Sequence, residues 1–286
     1  MPYSDLCRKK FFLKIIMILL SPDIRMPFLQ DMLEKDCCLQ NPGFFYQCAY
    51  LSKSVIKPVS LENYSYFSIP KCYSLLSMQA LNQAGILPIQ NHSTIQLSGK
   101  QVMIGFLDTG IDYQNPVFQH LDKTTRIAGI WDQTIQSGTP PESFDYGSHY
   151  TPDMINEALA SEDPYSLVPS VDNNGHGTFL ASIAAGSGDP DAQFIGAAPE
   201  SVIAVVKLKQ AKQYLRDYYF IPNTAPAFQE NDIMLGMRYL HLLAEKLGLP
   251  LIFCLHLAAI WADTPALSHS RSLPSSIPCC LIGFLL

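Results

Sequence analysis

Two short stretches carry the residue types that acid–base chemistry needs. Asp108-Thr109-Gly110-Ile111-Asp112 directly follows the apolar run Gln101-Val102-Met103-Ile104-Gly105-Phe106-Leu107. A carboxylate just past the carboxyl end of a buried strand lies where ligands and catalytic groups collect in an open parallel sheet. It is semi-buried, needs a hydrogen-bond donor and can orient an imidazole. Taken alone, the stretch reads equally well as a turn aspartate before a glycine turn. The second stretch is Asp172-Asn173-Asn174-Gly175-His176-Gly177-Thr178. It sets a histidine between two glycines where a small-residue helix begins, so the ring is exposed and other backbone can approach closely. A lone histidine is more often structural than catalytic, but Gly-His-Gly-Thr opening a helix is a much less common arrangement. The chain order, Asp before His, is one of the orders in which a Ser-His-Asp triad occurs.

The elements that must position these residues are legible as alternating strands and helices. The run 101–107 is of strand length and continuously apolar, as expected of a parallel strand buried on both faces. Ser201-Val202-Ile203-Ala204-Val205-Val206 is a second such run, rich in β-branched residues. Pro250-Leu251-Ile252-Phe253-Cys254-Leu255 is a third. Between the last two, Ile233, Gly236, Met237, Leu240, Leu243, Ala244 and Leu247 recur at helical spacing. Asn231 or Asp232 is placed to cap that helix, and Gly248 followed by Pro250 ends it. A second helix is expected from His176 to Gly186. The pattern predicts an α/β fold, a parallel sheet with helices on both faces, incomplete at the C-terminus. The expected organisation is a poorly assigned segment 1–56, an α/β domain 57–257 and a divergent tail 258–286. Ile130 to Val171, with Trp131, Tyr146, Tyr150 and Tyr165, reads as an insertion whose aromatics pack on the surface.

Composition removes several function classes. Of the 286 residues 48% are hydrophobic and 15% charged, which excludes wholesale disorder. A net charge of −6 without a long Lys/Arg block gives no nucleic-acid footprint. No apolar run reaches the length of about 18 residues that a membrane span needs. Arg8-Lys9-Lys10 before Phe11–Leu20 has the start of a signal peptide, but Lys14 interrupts the run and no small-x-small cleavage site follows. A short buried helix or strand is the preferred reading. The eight cysteines form no C-x-x-C pair, and scattered thiols favour a reducing compartment, such as the cytoplasm, over secretion.

With both motifs in place, the chain resembles the subtilisin-like serine proteases (subtilase family, peptidase S8), in particular the branch found in clostridia and their relatives. Val102–Asp112 is similar to the family's catalytic-aspartate strand and turn, and Asn174–Ala185 to its catalytic-histidine segment. Phe194-Ile195-Gly196-Ala197-Ala198-Pro199-Glu200 resembles the G-x-A-P segment that leads to the next strand. Asp232–Leu257 resembles the helix and strand before the substrate-binding segment. The resemblance runs from about residue 60 to 257. It implies that His176 is the general base, that Asp108 holds the imidazole, that Asn173 or Asn174 helps to shape the site, and that the partner is a peptide or protein substrate. It implies no cofactor. Some family members bind calcium, but no acidic cluster marks a site, so no metal ligand is assigned. Asp-Thr-Gly after a strand is also an aspartic-protease signature, but that chemistry needs a second such aspartate and an all-β fold.

The resemblance stops short of the nucleophile. The family's serine lies in a G-T-S-x-A-type motif and its oxyanion-hole asparagine precedes that serine. Ser268, Ser270, Ser272, Ser275 and Ser276 lack the preceding Gly-Thr, and no asparagine follows Asn231. The stretch Ala258-Ala259-Ile260-Trp261-Ala262-Asp263-Thr264-Pro265-Ala266-Leu267 can be written in codons that, with one added G, read Gly-Ser-Asn-Met-Gly-Gly-His-Thr-Gly-Ser. That is a glycine-rich segment of the kind the family places there. The expectation is a one-base deletion near codon 258 and an out-of-frame, truncated tail. A non-catalytic relative that binds a peptide or a protease, and an unrelated α/β binding domain, are the competing readings.

Overall fold

The computed structural model describes residues 16–21, 38–43, 46–52, 57–64, 68–70, 72–75, 97–188 and 195–259. In chain order the strands are β1 (Ile16–Ser21), β2 (Cys38–Gly43), β3 (Tyr46–Ser52), β4 (Cys72–Leu75), β5 (Met103–Asp108), β6 (Ile127–Asp132), β7 (Ser148–Tyr150), β8 (Val202–Lys207), β9 (Phe228–Gln229), β10 (Leu251–Cys254) and β11 (Leu257–Ala259). The helices are α1 (Pro152–Ala160), α2 (Pro164–Leu167), α3 (His176–Ala185), α4 (Gln213–Tyr218) and α5 (Glu230–Leu247). No described helix is long and apolar enough to cross a membrane. The chain divides into two compact units, one drawn from Met1–Leu75, Gln210–Arg238 and Leu257–Cys279, the other from Leu76–Lys209, Tyr239–His256 and Cys280–Leu286.

The second unit holds both chemical motifs. Its sheet has the order β10-β5-β8-β6-β7, parallel except for the antiparallel β6–β7 pair. The three apolar runs form β5, buried throughout, β8, buried at its four central residues, and the edge strand β10, buried at Leu251 and Phe253. Ile104, Phe106, Ile203, Val205 and Ile130 share one core with Ile155 and Ala158 of α1 and Ala181 and Ala185 of α3. On the opposite face Trp131 meets Tyr239 of α5 at 5.5 Å between ring centres. Helices therefore cover both faces, as the sequence predicts. The strand–helix–strand reading needs one refinement, because β8 and β10 are not neighbours: both flank β5.

The expected surface insertion is instead core. Residues 127–132 form β6 in the sheet, and Trp131, Tyr146 and Tyr150 are buried, while Tyr165 is exposed. Trp131 stacks with Phe144 at 4.6 Å and with Tyr146 at 5.2 Å, and its indole N–H donates to the Tyr146 carbonyl. Aromatic area of this size drives burial wherever the indole N–H finds an acceptor.

Arg126, just before β6, is buried and ties four segments together. Nη1 donates to the Ala185 carbonyl (2.7 Å), Ser187 Oγ (2.9 Å) and the Val117 carbonyl (3.3 Å), and Nη2 to the Ser201 carbonyl (2.7 Å). Burial lowers its pKa, and Glu200 opposes that shift. The Ala185 carbonyl ends α3, where the helix dipole favours a cation. Arg126→Met is expected to strand several buried acceptors and to destabilise the protein by about 3 kcal/mol, measured as a lowered urea midpoint. An unchanged midpoint would refute this role for the guanidinium.

In the first unit, β1-β3-β2 and β11-β4-β9 are antiparallel three-stranded sheets. Residues 16–21 of the N-terminal apolar run form strand β1. Its core gathers Ala49 and Leu51 with Tyr214, Leu215, Tyr219 and Ile221. The expected caps of α5 serve differently. The helix begins at Glu230, and Asn231 and Asp232 are fully buried within it. Asn231 Nδ2 donates to Tyr50 Oη (3.3 Å) and to Asp232 Oδ1 (3.1 Å). Cys48 and Cys254 are not in disulfides, but Cys38 is disulfide-bonded, a departure from the all-thiol expectation.

Candidate active site

Asp108 is the last residue of β5, where the ladder to β8 ends opposite Lys207. Its carboxylate is buried, and Oδ1 accepts from the Thr109 N–H at 2.7 Å. His176 Nδ1 lies 2.8 Å from the same oxygen. A buried carboxylate only accepts, so Nδ1 carries the proton and Nε2 presents a lone pair. Among the described residues, Asp108 Oδ2 is buried without a hydrogen-bond partner.

Glycine and threonine fix the geometry between the two motifs. His176 opens α3 after Gly175, whose φ is +82°. At Gly177 a Cβ would lie 2.2 Å from the Gly110 carbonyl oxygen and 3.2 Å from Asp108 Cβ. Only a residue without a side chain allows α3 to start this close to the turn after β5. The Thr109 hydroxyl accepts from the Gly177 N–H (3.0 Å) and donates to Asp172 Oδ1 (2.8 Å).

Asp172 is the organiser that the sequence analysis did not single out. Its carboxylate accepts from the N–H of Gly175 (2.9 Å), Asn174 (3.2 Å) and Thr178 (2.8 Å) and from the Thr178 hydroxyl (2.7 Å). It thereby satisfies donors of the first turn of α3 and holds the ring-bearing turn against Thr109. Asn173 and Asn174, the expected shapers, are exposed. The available signal was an aspartate four residues before the first helical residue. Burial raises the Asp172 pKa, but the hydrogen bonds from Thr178, Thr109 and Gly175 outweigh it, and the net shift is downward. A depressed folded value contributes stability that is full above the ordinary 3.8 and is lost as pH falls through the folded value. Asp172→Ala is expected to destabilise the protein at neutral pH by about 1–2 kcal/mol. The gap to the parent should close in acid, followed by urea denaturation across pH. A gap independent of pH would exclude the carboxylate's charge as its origin.

Other charged groups share this rim of the sheet. Lys207 Nζ lies 3.2 Å from Asp132 Oδ2 at the carboxyl ends of β8 and β6. Asp132 also accepts from Thr134 and Ser170. Just beyond β10, His256 Nδ1 lies 3.3 Å from His176 Nε2, with the ring centres 5.3 Å apart. Burial, then the neighbouring His176, lowers the His256 pKa, and Asp108 opposes. Burial, then the Asp108 charge, pushes the Cys254 thiol up to about 12. His256 and Cys254 had no motif to mark them: only the parallel pairing of β10 with β5 brings them beside Asp108. Among the described residues, no three His, Cys, Asp or Glu side chains converge as a metal cluster.

The segment that carries both motifs is similar to known proteins. Residues 99–231 match the subtilase family model, Peptidase S8. "Subtilisin-like protease SBT2.2" of Arabidopsis thaliana is 32% identical over 131 residues, covering 39% of this chain and 15% of that protein. "Subtilisin-like protease SBT2.1" of the same plant is 30% identical over 132 residues, with the same coverage of both chains. The chain thus spans about a seventh of the length of these relatives. The solved structure of the Clostridium perfringens CspB protease is 33% identical, with a TM-score of 0.48, over 59% of this chain and 32% of that one. The part of the chain that bears the Asp108 turn and the His176 helix start, residues 99–231, is thus similar to the subtilase family of serine proteases.

Proposed function

We propose that the protein is a subtilisin-like serine endopeptidase by descent, with His176 as general base and Asp108 as the group that orients it. The observation that carries this reading is the 2.8 Å contact between Asp108 Oδ1 and His176 Nδ1, in a segment that matches the family. With Nδ1–H held by the carboxylate, Nε2 accepts the proton of an attacking serine hydroxyl and then delivers it to the leaving amine. Asp108 keeps the productive tautomer and stabilises the imidazolium. The serine would form an acyl-enzyme that water hydrolyses. The sequence contains no G-T-S-x-A serine and no asparagine after Asn231 to complete this chemistry. The chain as given is therefore expected to be inert toward peptides.

Resequencing the coding DNA across codons 250–270 and on through the stop is the decisive test. An extra base that restores the glycine-rich segment, with a G-T-S-x-A serine downstream, supports the endopeptidase. That full-length form should then label with a fluorophosphonate probe, and the label should vanish in His176→Ala. A folded, restored protein that takes no label would favour the second reading, a non-catalytic relative that binds a peptide. The absence of a nucleophile from the present sequence is the observation behind that alternative.

A further inference from the structure

We infer that His176 and His256 form a two-imidazole site for a borderline divalent cation such as zinc. The two facing nitrogens, His176 Nε2 and His256 Nδ1, are 3.3 Å apart. Two nitrogens bound to one tetrahedral zinc at ~2.0–2.1 Å stand about 3.3–3.4 Å apart, so the pair already has the bite that the ion requires. The opposite nitrogen of His176 points its N–H at Asp108 Oδ1 (2.8 Å). A carboxylate behind a ligating imidazole fixes the ring and raises its basicity, the usual support of a histidine–zinc bond. Imidazole donors suit zinc, copper and nickel rather than calcium or magnesium, which take oxygen ligands.

The anchors are rigid on one side and short on the other. His176 is the first residue of α3, held by the Gly177–Thr109–Asp172 contacts. His256 follows β10 by two residues, and β10 pairs with β5 through Leu251–Cys254. Among the described residues these two nitrogens are the ligands, and water would fill the remaining positions on the ion. The site is therefore an exchangeable, regulatory kind of site rather than a structural one. A bound ion would occupy the Nε2 lone pair and so withdraw the general base. That consequence rests on the proposed endopeptidase reading, whereas ion binding itself does not.

The test uses the 286-residue chain with histidine nitrogens labelled, titrated with zinc chloride and followed by NMR. Accessible thiols are first alkylated under native conditions, so that thiolates do not compete. The expected result is a saturable shift of one Nε2, that of His176, and one Nδ1, that of His256. His256→Gln should weaken the binding at least roughly tenfold, and Asp108→Asn by roughly 10–100-fold, as loss of a supporting carboxylate does. His120→Gln, at an exposed site away from the pair, should leave it unchanged. Shifts confined to other imidazoles, full binding in His256→Gln, or no saturable shift in the unsubstituted protein would each overturn the inference. The unsubstituted protein alone supplies the first and the third of these outcomes, so a variant that fails to fold does not remove the test. Loss of peptide hydrolysis in a restored enzyme without these nitrogen shifts would likewise count against the ion and not against the endopeptidase reading.

Discussion

In a frame-restored form of the protein, His176→Ala is expected to lower kcat for peptide hydrolysis by about 10⁶-fold, with little change in KM. Removing the base of a serine triad removes the whole nucleophilic unit, because the serine hydroxyl is a weak nucleophile without an acceptor for its proton. A factor of 10⁶ corresponds to about 8 kcal/mol of transition-state stabilisation. Asp108→Asn should cost about 10⁴-fold, since a neutral amide behind Nδ1 no longer selects the tautomer whose Nε2 accepts a proton. The two losses should not add, because both act through one proton transfer. Steady-state kinetics on a chromogenic peptide, with active sites counted by fluorophosphonate labelling, reads both. A His176→Ala variant that keeps more than about a hundredth of parental kcat would remove His176 from the role of base.

Gly177→Ala is expected to be among the most disruptive single substitutions that leave all the chemical groups in place. Its new Cβ would lie 2.2 Å from the Gly110 carbonyl oxygen and 3.1 Å from the Gly110 nitrogen. Both are backbone atoms of the turn after β5, so no flexible side chain can swing aside. Either α3 moves away from the turn or the turn moves away from β5. In both cases the Gly177 N–H loses Thr109 Oγ1 and the His176 ring loses its register with Asp108. Overpacking of this kind costs about 3 kcal/mol or more. A displacement of an ångström at the imidazole costs about 10²-fold in rate. Urea denaturation and the His176 Nδ1–H resonance, which a strong bond to a carboxylate shifts far downfield, measure the two consequences. Parental stability together with an unchanged resonance would show that the backbone accommodates the methyl group and that this packing argument is wrong. Gly175 makes a useful control, because a Cβ there meets nothing within 4 Å, although its φ of +82° still strains any side-chain-bearing residue.

Much of the sheet was legible because its strands are continuously apolar. Met103–Asp108, Val202–Lys207 and Leu251–Cys254 lie within or one residue from the three runs read from composition. α3 runs from His176 to Ala185 as expected. α5 ends just before Gly248, whose φ of +66° suits a helix terminus that only glycine adopts without strain. β6 was missed because Ile127–Asp132, with a glycine in its middle, has neither a long apolar run nor clean alternation. Its burial follows from partners distant in sequence, β8 in the sheet and Tyr239 of α5 above Trp131. Asn231 and Asp232 were misread as caps because their type favours helix starts, whereas Tyr50, far away in sequence, captures the Asn231 side chain.

By itself, then, the sequence determined the two chemical motifs, their order along the chain and the α/β character of the segment that carries them. These are local properties: an aspartate at a strand end, a glycine-flanked histidine at a helix start, apolar runs of strand length. Tertiary structure decided everything that depends on pairing. It set β5 between β8 and β10, so that Asp108 faces His176 and His256 arrives at Nε2 of that ring. It also assigned Asp172 to hold the helix start and Arg126 to bind the carbonyls of Ala185 and Ser201. A hydrogen bond is satisfied by whichever donor the fold brings within about 3 Å, and spacing along the chain does not encode which residue that will be.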